Sequence, residues 1–116
     1  MSETPEDLIK PYLSVLSERK AEDVVVLDVR RLTSYTDVFI IASGRSNRQV
    51  SAIGQHILTE MKKKGVRPFS SDGMDDGKWV LLDYGDVIIH VFYDETRRFY
   101  DLEGLWADAR RIDADL

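Results

Sequence analysis

Cysteine is absent from the 116 residues of this chain, and no apolar run approaches the roughly 20 residues that a membrane-spanning helix needs. The lack of cysteine excludes disulfide bonds and thiolate metal sites, which suits a reducing compartment. The first ten residues have neither a basic start followed by an apolar stretch nor a small-residue cleavage site, so export is not indicated. Together these absences predict a cytoplasmic protein without a membrane segment.

The composition is that of an ordinary globular protein. Hydrophobic residues make up 43% and charged residues 32%, and 116 residues suit one domain spanning 1–116. The net charge of -5 and the pI near 5.0 argue against a surface that neutralises phosphates. We therefore predict no sequence-specific nucleic-acid binding and a partner that is basic, because opposite charge favours association.

The N-terminal stretch predicts a helix. Thr4 suits the N-cap and Pro5 the first helical position, with acidic residues next to them in the first turn. Pro11 lies too deep for a first-turn proline, so the helix either kinks there or begins near Lys10. Both alternatives give a helix that ends at about Lys20.

The middle of the chain alternates strands and helices. Residues 23–31 and 36–43 are rich in β-branched residues and predict two paired strands. Ser46 and Gln49 have the spacing of a capping box before an apolar helical stripe, and Gly65 ends that helix. Residues 66–69 allow a short strand, and 70–77 predict a loop.

The last third predicts a hairpin, a short helix and a loose tail. Residues 78–83 and 86–93 are strands joined by Tyr84 and Gly85. Residues 102–109 predict a helix capped by Asp101, and the tail from about Arg110 is expected to be loose. The element order predicts a single α/β domain with a mixed sheet flanked by helices.

The predicted hairpin has two chemically different faces. With a two-residue turn, Asp83 opposes Asp86, Leu81 opposes Ile88 and Trp79 opposes His90. One face is wholly aliphatic and predicts the core side: Val80, Leu82, Val87, Ile89 and Val91. The other face mixes aromatic, aliphatic, histidine and acidic residues: Trp79, Leu81, Asp83, Asp86, Ile88, His90 and Phe92.

Two interpretations of the mixed face remain open. Aromatic anchors among polar groups are typical of a protein interface. Alternatively, a terminal helix covers this face, His90 is hydrogen-bonded and Trp79 is half-buried. Further along, Tyr100 and Trp106 suit boundary positions because each carries a polar atom, whereas Phe99 and Leu105 are equally well explained as core residues.

No complete catalytic or metal-binding pattern is present. Residues 43–46 lie between a strand and a helix start and could hold a phosphate with Arg45 and Arg48, but the P-loop and dinucleotide patterns are both incomplete. The aspartates at 72, 75, 76 and 83 lack calcium-loop spacing, and two histidines are too few for a metal site. Asp83 and Asp86 could act as paired carboxylates, but beside a tight turn they more simply prevent edge pairing or meet a basic partner.

Three stretches together resemble the ribosomal silencing factor family, which is also called the Iojap or RsfS family. They are TDVFIIASGRSNRQV at 36–50, KWVLLDYGDVIIHVF at 78–92 and RRFYDLEGLWADA at 97–109. The likeness extends over nearly all of the chain from residue 21 onward. Its departures, Pro11 and the variant loop at 74–77, fall where variation is expected.

The resemblance implies a nucleotidyltransferase-like α/β fold without catalytic residues or cofactors, and a tendency to form homodimers. It implies binding to ribosomal protein uL14 of the large subunit, which sterically blocks association with the small subunit and represses translation. The alternatives are a late large-subunit assembly factor and, with less support, a nucleotide-binding or nucleotidyl-transferring enzyme. With Asp86 from the mixed face, the contact candidates that the family motifs place on this chain are Trp79, Leu81, Asp83, Tyr84, His90, Tyr100, Leu102 and Trp106.

Overall fold

The computed structural model describes residues 4–114. In chain order its elements are α1 (Pro5–Glu18), β1 (Glu22–Asp28), β2 (Val38–Gly44), α2 (Asn47–Lys63), β3 (Ser70–Asp72), β4 (Trp79–Asp83), β5 (Val87–Tyr93), α3 (Asp94–Tyr100), α4 (Leu102–Leu105) and β6 (Arg110–Ile112). None of the helices between residues 4 and 114 combines the length and apolar character needed to cross a membrane.

The strands form one mixed sheet in the order β3-β4-β5-β2-β1-β6. β2 and β5 are parallel, and every other neighbouring pair is antiparallel. α1 and α2 cover one face of the sheet, and the segment that contains α4 packs on the opposite face. The predicted fold class, a single α/β domain with a mixed sheet flanked by helices, is confirmed.

Both long helices begin as the sequence predicts. The Thr4 side chain accepts a hydrogen bond from the Asp7 N–H at 3.2 Å, and α1 continues through Pro11, so a start near Lys10 is excluded. The side chain of Ser46 caps α2 by accepting from the Gln49 N–H at 3.1 Å. The polypeptide leaves α2 through Gly65, whose φ of +79° a residue with a Cβ rarely adopts.

The aliphatic face of the hairpin is the core, as predicted. It faces α1 and α2, and its members are all buried: Val80, Leu82, Val87, Ile89 and Val91. They pack against the apolar stripe of α2, which includes Val50, Ile53 and Ile57. Burial of this set between the sheet and the two long helices holds these elements together.

The register of the hairpin differs from the prediction. The observed pairs are Trp79 with Phe92, Leu81 with His90 and Asp83 with Ile88. Each partner on β5 lies two residues further along than predicted, so the three predicted oppositions, including Asp83 with Asp86, are wrong. The faces are unchanged because side chains alternate with a period of two.

The shifted register follows from the position of the turn. Tyr84 N–H donates to the Val87 carbonyl at 2.9 Å, so these residues flank the turn and Gly85 and Asp86 form its centre. Gly85 has a φ of +88°, a conformation that glycine adopts readily, whereas the φ of Asp86 is not positive. Glycine thus takes the first central position, where the sequence analysis had placed Tyr84.

Three shorter predictions are wrong. The strand expected at 66–69 lies at Ser70–Asp72 and pairs with β4, although all three of its residues are exposed. The helix expected at 102–109 ends at Leu105, although Asp101 does cap it, and α3 before it was not predicted. Arg110–Ile112 form β6 on β1 rather than a loose tail; the last two residues of that tail, 115–116, lie outside the described residues.

Ion pairs join β6 to the rest of the domain. The guanidinium of Arg110 contacts the Asp28 carboxylate at 3.1 Å and that of Glu6 at 3.3 Å, which links β6 to β1 and α1. Arg30 also contacts Asp28, at 2.9 Å. Hydrogen bonds from the Arg30 side chain are the main reason why the pKa of Asp28 falls from 3.8 to about 2.

The depressed pKa of Asp28 predicts a loss of stability in acid. Its carboxylate is more acidic folded than unfolded, so its contribution is present above about pH 4 and is lost as the pH falls toward 2. A difference of nearly two pKa units between the folded and unfolded states corresponds to roughly 2 kcal/mol in the free energy of unfolding. Urea unfolding between pH 5 and pH 2 should show this fall, and Asp28→Asn should reduce it. An equally steep fall in the variant would contradict the assignment to Asp28.

Candidate functional site

The mixed face of β4 and β5 divides into a buried part and an open part. Ile88, His90 and Phe92 are at most 5% exposed, and Ile88 and Phe92 belong to a second core cluster on this side of the sheet. Trp79 and Leu81, on the neighbouring strand, are only partly covered. The packing interpretation therefore describes β5, and the open surface that an interface needs is confined to β4 and its surroundings.

A groove of about 370 Å³ lies on this open part. Its lining residues are Tyr35, Phe39, Ser70, Asp72, Leu81, Asp83, Ile88, His90, Leu102 and Trp106. The four strands β2, β3, β4 and β5 supply one side of the groove, and the segment that contains α4 supplies the other. We call this cavity the groove; five of its ten lining residues are contact candidates predicted from the sequence.

Trp79 stands beside the groove in a fixed orientation. Its indole stacks on Phe92 with ring centroids 5.0 Å apart and meets Tyr100 at 4.8 Å. The indole N–H donates a hydrogen bond to Nδ1 of His90 at 3.1 Å. A half-exposed aromatic held by two rings and a hydrogen bond loses little further freedom when a partner covers it.

His90 is the buried partner that holds Trp79. Burial lowers the pKa of its imidazole to about 4, so the ring is neutral at physiological pH. An indole N–H can only donate, so Nδ1 must be the unprotonated nitrogen and Nε2 must carry the ring proton. Within residues 4–114 Nε2 has no hydrogen-bond partner. His90 is only 5% exposed, so its contribution to the surface is to hold the Trp79 indole in place.

The two aspartates near the turn do not form a carboxylate pair across the hairpin. Asp83 lies in the groove and accepts a hydrogen bond from the Gly85 N–H at 2.8 Å. Asp86 is exposed at the centre of the turn. Asp72 on β3 also lines the groove, so its lining contains two acidic side chains.

Tyr84 lies on the other side of the sheet from the remaining candidates. Its ring packs under α1 against Tyr12, with centroids 5.2 Å apart, and its exposure is 9%. Burial raises the pKa of its phenol to about 12, and the hydroxyl has no hydrogen-bond partner among the described residues. The alternation of side chains along β4 places it there, since it follows Asp83 by one residue.

Tyr84→Phe tests this placement. Removing a buried hydroxyl that has no partner should leave stability unchanged or raise it by up to about 1 kcal/mol, because the desolvation cost of that group disappears. Binding to any partner at the groove should not change. Urea unfolding and a binding titration on the same sample check both statements. A loss of binding in a fully folded variant would place Tyr84 at the contact surface after all.

Of the C-terminal candidates, Trp106 lines the groove and Tyr100 contacts Trp79 beside it. Tyr100 is 47% exposed, and Trp106 packs edge-on against Phe39 with centroids 5.0 Å apart. Phe99 and Leu105, which the sequence explained equally well as core, are 81% and 74% exposed. The segment thus combines two residues that line the groove, Leu102 and Trp106, with several that face outward.

Arg97 is the main residue that the sequence analysis missed. It is buried, forms a two-contact ion pair with Glu103 at 3.0 and 3.1 Å, and donates to Oγ of Ser43 at 2.7 Å. These contacts fasten α3 and α4 to the end of β2. Arg97 and Arg98 are adjacent in a charged stretch, and the sequence alone does not indicate which of the two side chains is buried.

The loop between β2 and α2 is occupied by internal contacts. Ser43 accepts from Arg97, Arg45 pairs with Glu22 at 2.8 Å, and the Gln49 side chain accepts from the Arg45 N–H. These contacts use groups that a phosphate at residues 43–46 would need. Among residues 4–114, no three carboxylate, histidine or cysteine groups are grouped as a metal site requires.

Comparison with known proteins gives a consistent result. The family described as "Ribosomal silencing factor during starvation", RsfS, matches residues 2–116. The ribosomal silencing factor RsfS of Bacillus subtilis is 36% identical over 108 residues, which cover 93% of this chain and 92% of that protein.

Two further relatives agree. A crystal structure of a protein from Chromobacterium violaceum superposes with a TM-score of 0.86 at 34% identity and covers 98% of this chain and 94% of that one. A mouse protein named for mitochondrial assembly of the ribosomal large subunit is 35% identical over 84% of this chain and 44% of its own length. By sequence and by fold, the chain belongs to the RsfS family of ribosomal silencing factors.

Proposed function

We propose that this protein binds the large ribosomal subunit in the cytoplasm, docks the groove and Trp79 on ribosomal protein uL14, and blocks association with the small subunit. Translation is repressed because the joined ribosome cannot form. The observation that carries the proposal is the groove itself: in a member of this family, it is the place where fixed aromatic side chains and acidic groups meet on an open surface.

The chemistry of the groove suits a basic protein partner. Trp79, Trp106 and Tyr100 provide large, rigid contact areas of the kind that dominate binding energy at interfaces. Asp83 and Asp72 provide negative charge in the lining of the groove, which complements a basic surface. Hydrophobic contact would supply the affinity, and the acids would fix the orientation of the complex.

The proposed mechanism is steric and needs no reaction. A domain with a radius of gyration of 13.0 Å, seated on the surface that meets the small subunit, occupies space that the joined ribosome requires. The protein is then a binding factor rather than an enzyme. Its effect depends on occupancy, so repression should follow the concentration of the protein relative to large subunits.

Sedimentation tests the proposed activity. Purified protein should migrate with large subunits in a sucrose gradient and shift joined ribosomes toward free subunits. Trp79→Ala should lose both effects, whereas Tyr84→Phe should keep them and serves as the matched control. Unchanged subunit joining at excess wild-type protein would refute the anti-association activity.

Isolated uL14 tests the proposed partner. The protein should bind it directly, and added salt should weaken the complex because Asp83 and its neighbours face basic groups. Asp83→Asn should reduce that salt dependence. An affinity that does not change with salt would remove the role of the acids, and no binding would remove uL14 as the partner.

A role in large-subunit assembly is the second candidate, which the name of the mouse relative favours. The two functions differ in the particle that is bound. Immobilised protein should retain mature large subunits if it blocks subunit joining, and should enrich precursors over mature subunits if it acts in assembly.

Off the ribosome, we propose that the protein forms a homodimer. The exposed side chains of Phe99 and Leu105 offer apolar area for such a contact. Light scattering during size-exclusion chromatography should give twice the mass of 13.3 kDa, and Phe99→Ser with Leu105→Ser should return the monomer. A wild-type protein that is monomeric at high concentration would contradict the dimer.

A further inference from the structure

A positively charged segment follows the main part of α2. Lys62, Lys63, Lys64 and Arg67 are four of the chain's 16 basic residues, and residues 61–71 contain none of its 21 acidic ones. All four are exposed, and only Lys63 forms an ion pair, with Glu60 at 2.8 Å. Within residues 4–114 the other three side chains form no ion pair or hydrogen bond. In a chain with a net charge of -5, this segment is a local reversal of charge.

The helix dipole accounts for only part of this charge. Lysines in the last turn of a helix are favourable because they face its negative end. Arg67 lies beyond the helix, after Gly65, where that effect has ended. It precedes Phe69 by two residues, so their Cα atoms are at most about 7 Å apart. Phe69 is 81% exposed, which is unusual for a large aromatic side chain.

The segment leads directly to the groove. Phe69 N–H donates to the Asp83 carbonyl at 2.7 Å, and its ring lies over Gly85 in the β4–β5 turn. The next residues form β3, of which Ser70 and Asp72 line the groove. We call this segment the basic edge; it consists of Lys62, Lys63, Lys64, Arg67 and Phe69. When a ribosomal protein fills the groove, the molecules that surround that protein on the ribosome therefore lie next to the basic edge.

We propose that the basic edge binds the phosphate backbone of ribosomal RNA beside the protein that occupies the groove. This inference rests on the proposed docking to the large subunit. Exposed lysine and arginine side chains neutralise phosphates without reading sequence, and an exposed aromatic ring stacks on an unpaired base. The acidic groove then meets basic protein while the basic edge meets acidic RNA. Two adjacent patches of opposite charge would fix the orientation of the complex.

A second group of cations serves as a matched control. Arg19, Lys20 and Arg48 are exposed and form no side-chain ion pair within the described residues. Arg48 lies in the first turn of α2, about 20 Å along the helix from Lys62, and the Arg19 carbonyl accepts from the Gln49 side chain in that same turn. No exposed aromatic lies among them, and none of them lines the groove. Their replacement removes the same charge from a different place.

The test compares two triple variants on two targets. The edge variant carries Lys62→Gln, Lys64→Gln and Arg67→Gln, and the control variant carries Arg19→Gln, Lys20→Gln and Arg48→Gln. Each is titrated against purified large subunits and against isolated uL14 at several salt concentrations. We expect the edge variant to lose about tenfold in affinity for the subunits at low salt. The slope of log affinity against log salt concentration should correspond to about two fewer phosphate contacts than in the wild type. Its affinity for isolated uL14, and that of the control variant for both targets, should stay unchanged.

The outcomes separate this inference from the proposed function. Unchanged binding of the edge variant to subunits would overturn it, and an equal loss on isolated uL14 would show that the edge contacts protein instead. If wild-type protein binds subunits but not isolated uL14, and the edge variant loses affinity, the groove partner is wrong and the RNA contact stands. Arg67→Gln alone, outside the helix, repeats the test should the triple variant unfold.

Discussion

Replacing Trp79 by alanine should weaken binding to the large subunit by about 2 kcal/mol or more, which is roughly a thirtyfold loss of affinity. The indole is half-exposed beside the groove and rests on Phe92 and Tyr100, with centroids 5.0 and 4.8 Å away. Alanine removes this area and also frees the His90 ring. A titration of labelled protein with purified subunits at constant salt measures the loss.

Stability must be measured on the same variant, because Trp79 also packs on the second core cluster. Truncation leaves space over Phe92 and removes the donor to His90, so we expect a loss of about 2 kcal/mol in the free energy of unfolding. Trp79→Phe keeps a ring there and should retain most of the stability. A folded Trp79→Ala protein that binds like wild type would exclude this part of the sheet from the docking surface.

Arg97→Leu should destabilise the protein by about 3 kcal/mol or more. The arginine side chain is 9% exposed and that of its partner Glu103 is 24% exposed, so the substitution leaves a mostly buried carboxylate without its cation. Ser43 also loses the donor that lies 2.7 Å away. Since domains of this size are stable by only about 5 to 15 kcal/mol, urea unfolding should show a large shift.

Replacement of Arg97 should also weaken binding at the groove. Glu103 directly follows Leu102, which lines the groove, and α4 leads to Trp106 on the same side. Loosening this segment should weaken subunit binding under conditions where most of the protein remains folded. A double variant with Arg97→Leu and Glu103→Leu should recover part of the stability, because neither charge is then left unpaired. A loss below 1 kcal/mol in the single variant would mean that water already shares this ion pair.

The sequence was most informative where periodicity and burial agree. The aliphatic face of β4 and β5 was identified because five alternating apolar positions leave no other side for the core. The capping residues of α1 and α2 were identified because short polar side chains before an apolar stripe have a specific hydrogen-bonding role. These are local rules, and they do not depend on the rest of the fold.

Elements that depend on a distant partner were missed. Ser70–Asp72 have little intrinsic preference for a strand and become one because β4 offers an unpaired edge. Arg110–Ile112 become a strand because β1 and the carboxylates of Asp28 and Glu6 lie beside them. Nothing in either tripeptide indicates that neighbour.

The candidate site was predictable as a surface but not as a geometry. The mixed composition of one hairpin face indicated an interface, and the observed groove does include Leu81, Asp83, His90 and Trp106. Tyr84 was carried along because it adjoins Asp83 in a family motif, although alternation places it on the opposite face. The predicted opposition of Trp79 and His90 was wrong because a change of one position in the turn moves every partner by two. The two side chains still meet, through a diagonal hydrogen bond.

The pairing of β6 with β1 has a consequence for synthesis. β1 is made early, but the strand that covers its outer edge is complete only when residue 112 has been added. Glu6 and Arg110, which join the two ends of this arrangement, are 104 residues apart in the chain. The nascent protein therefore carries an open strand edge until residue 112 has been made, and contacts of such long range slow folding. A regulator of translation would thus complete its own sheet only after β6 has been synthesised.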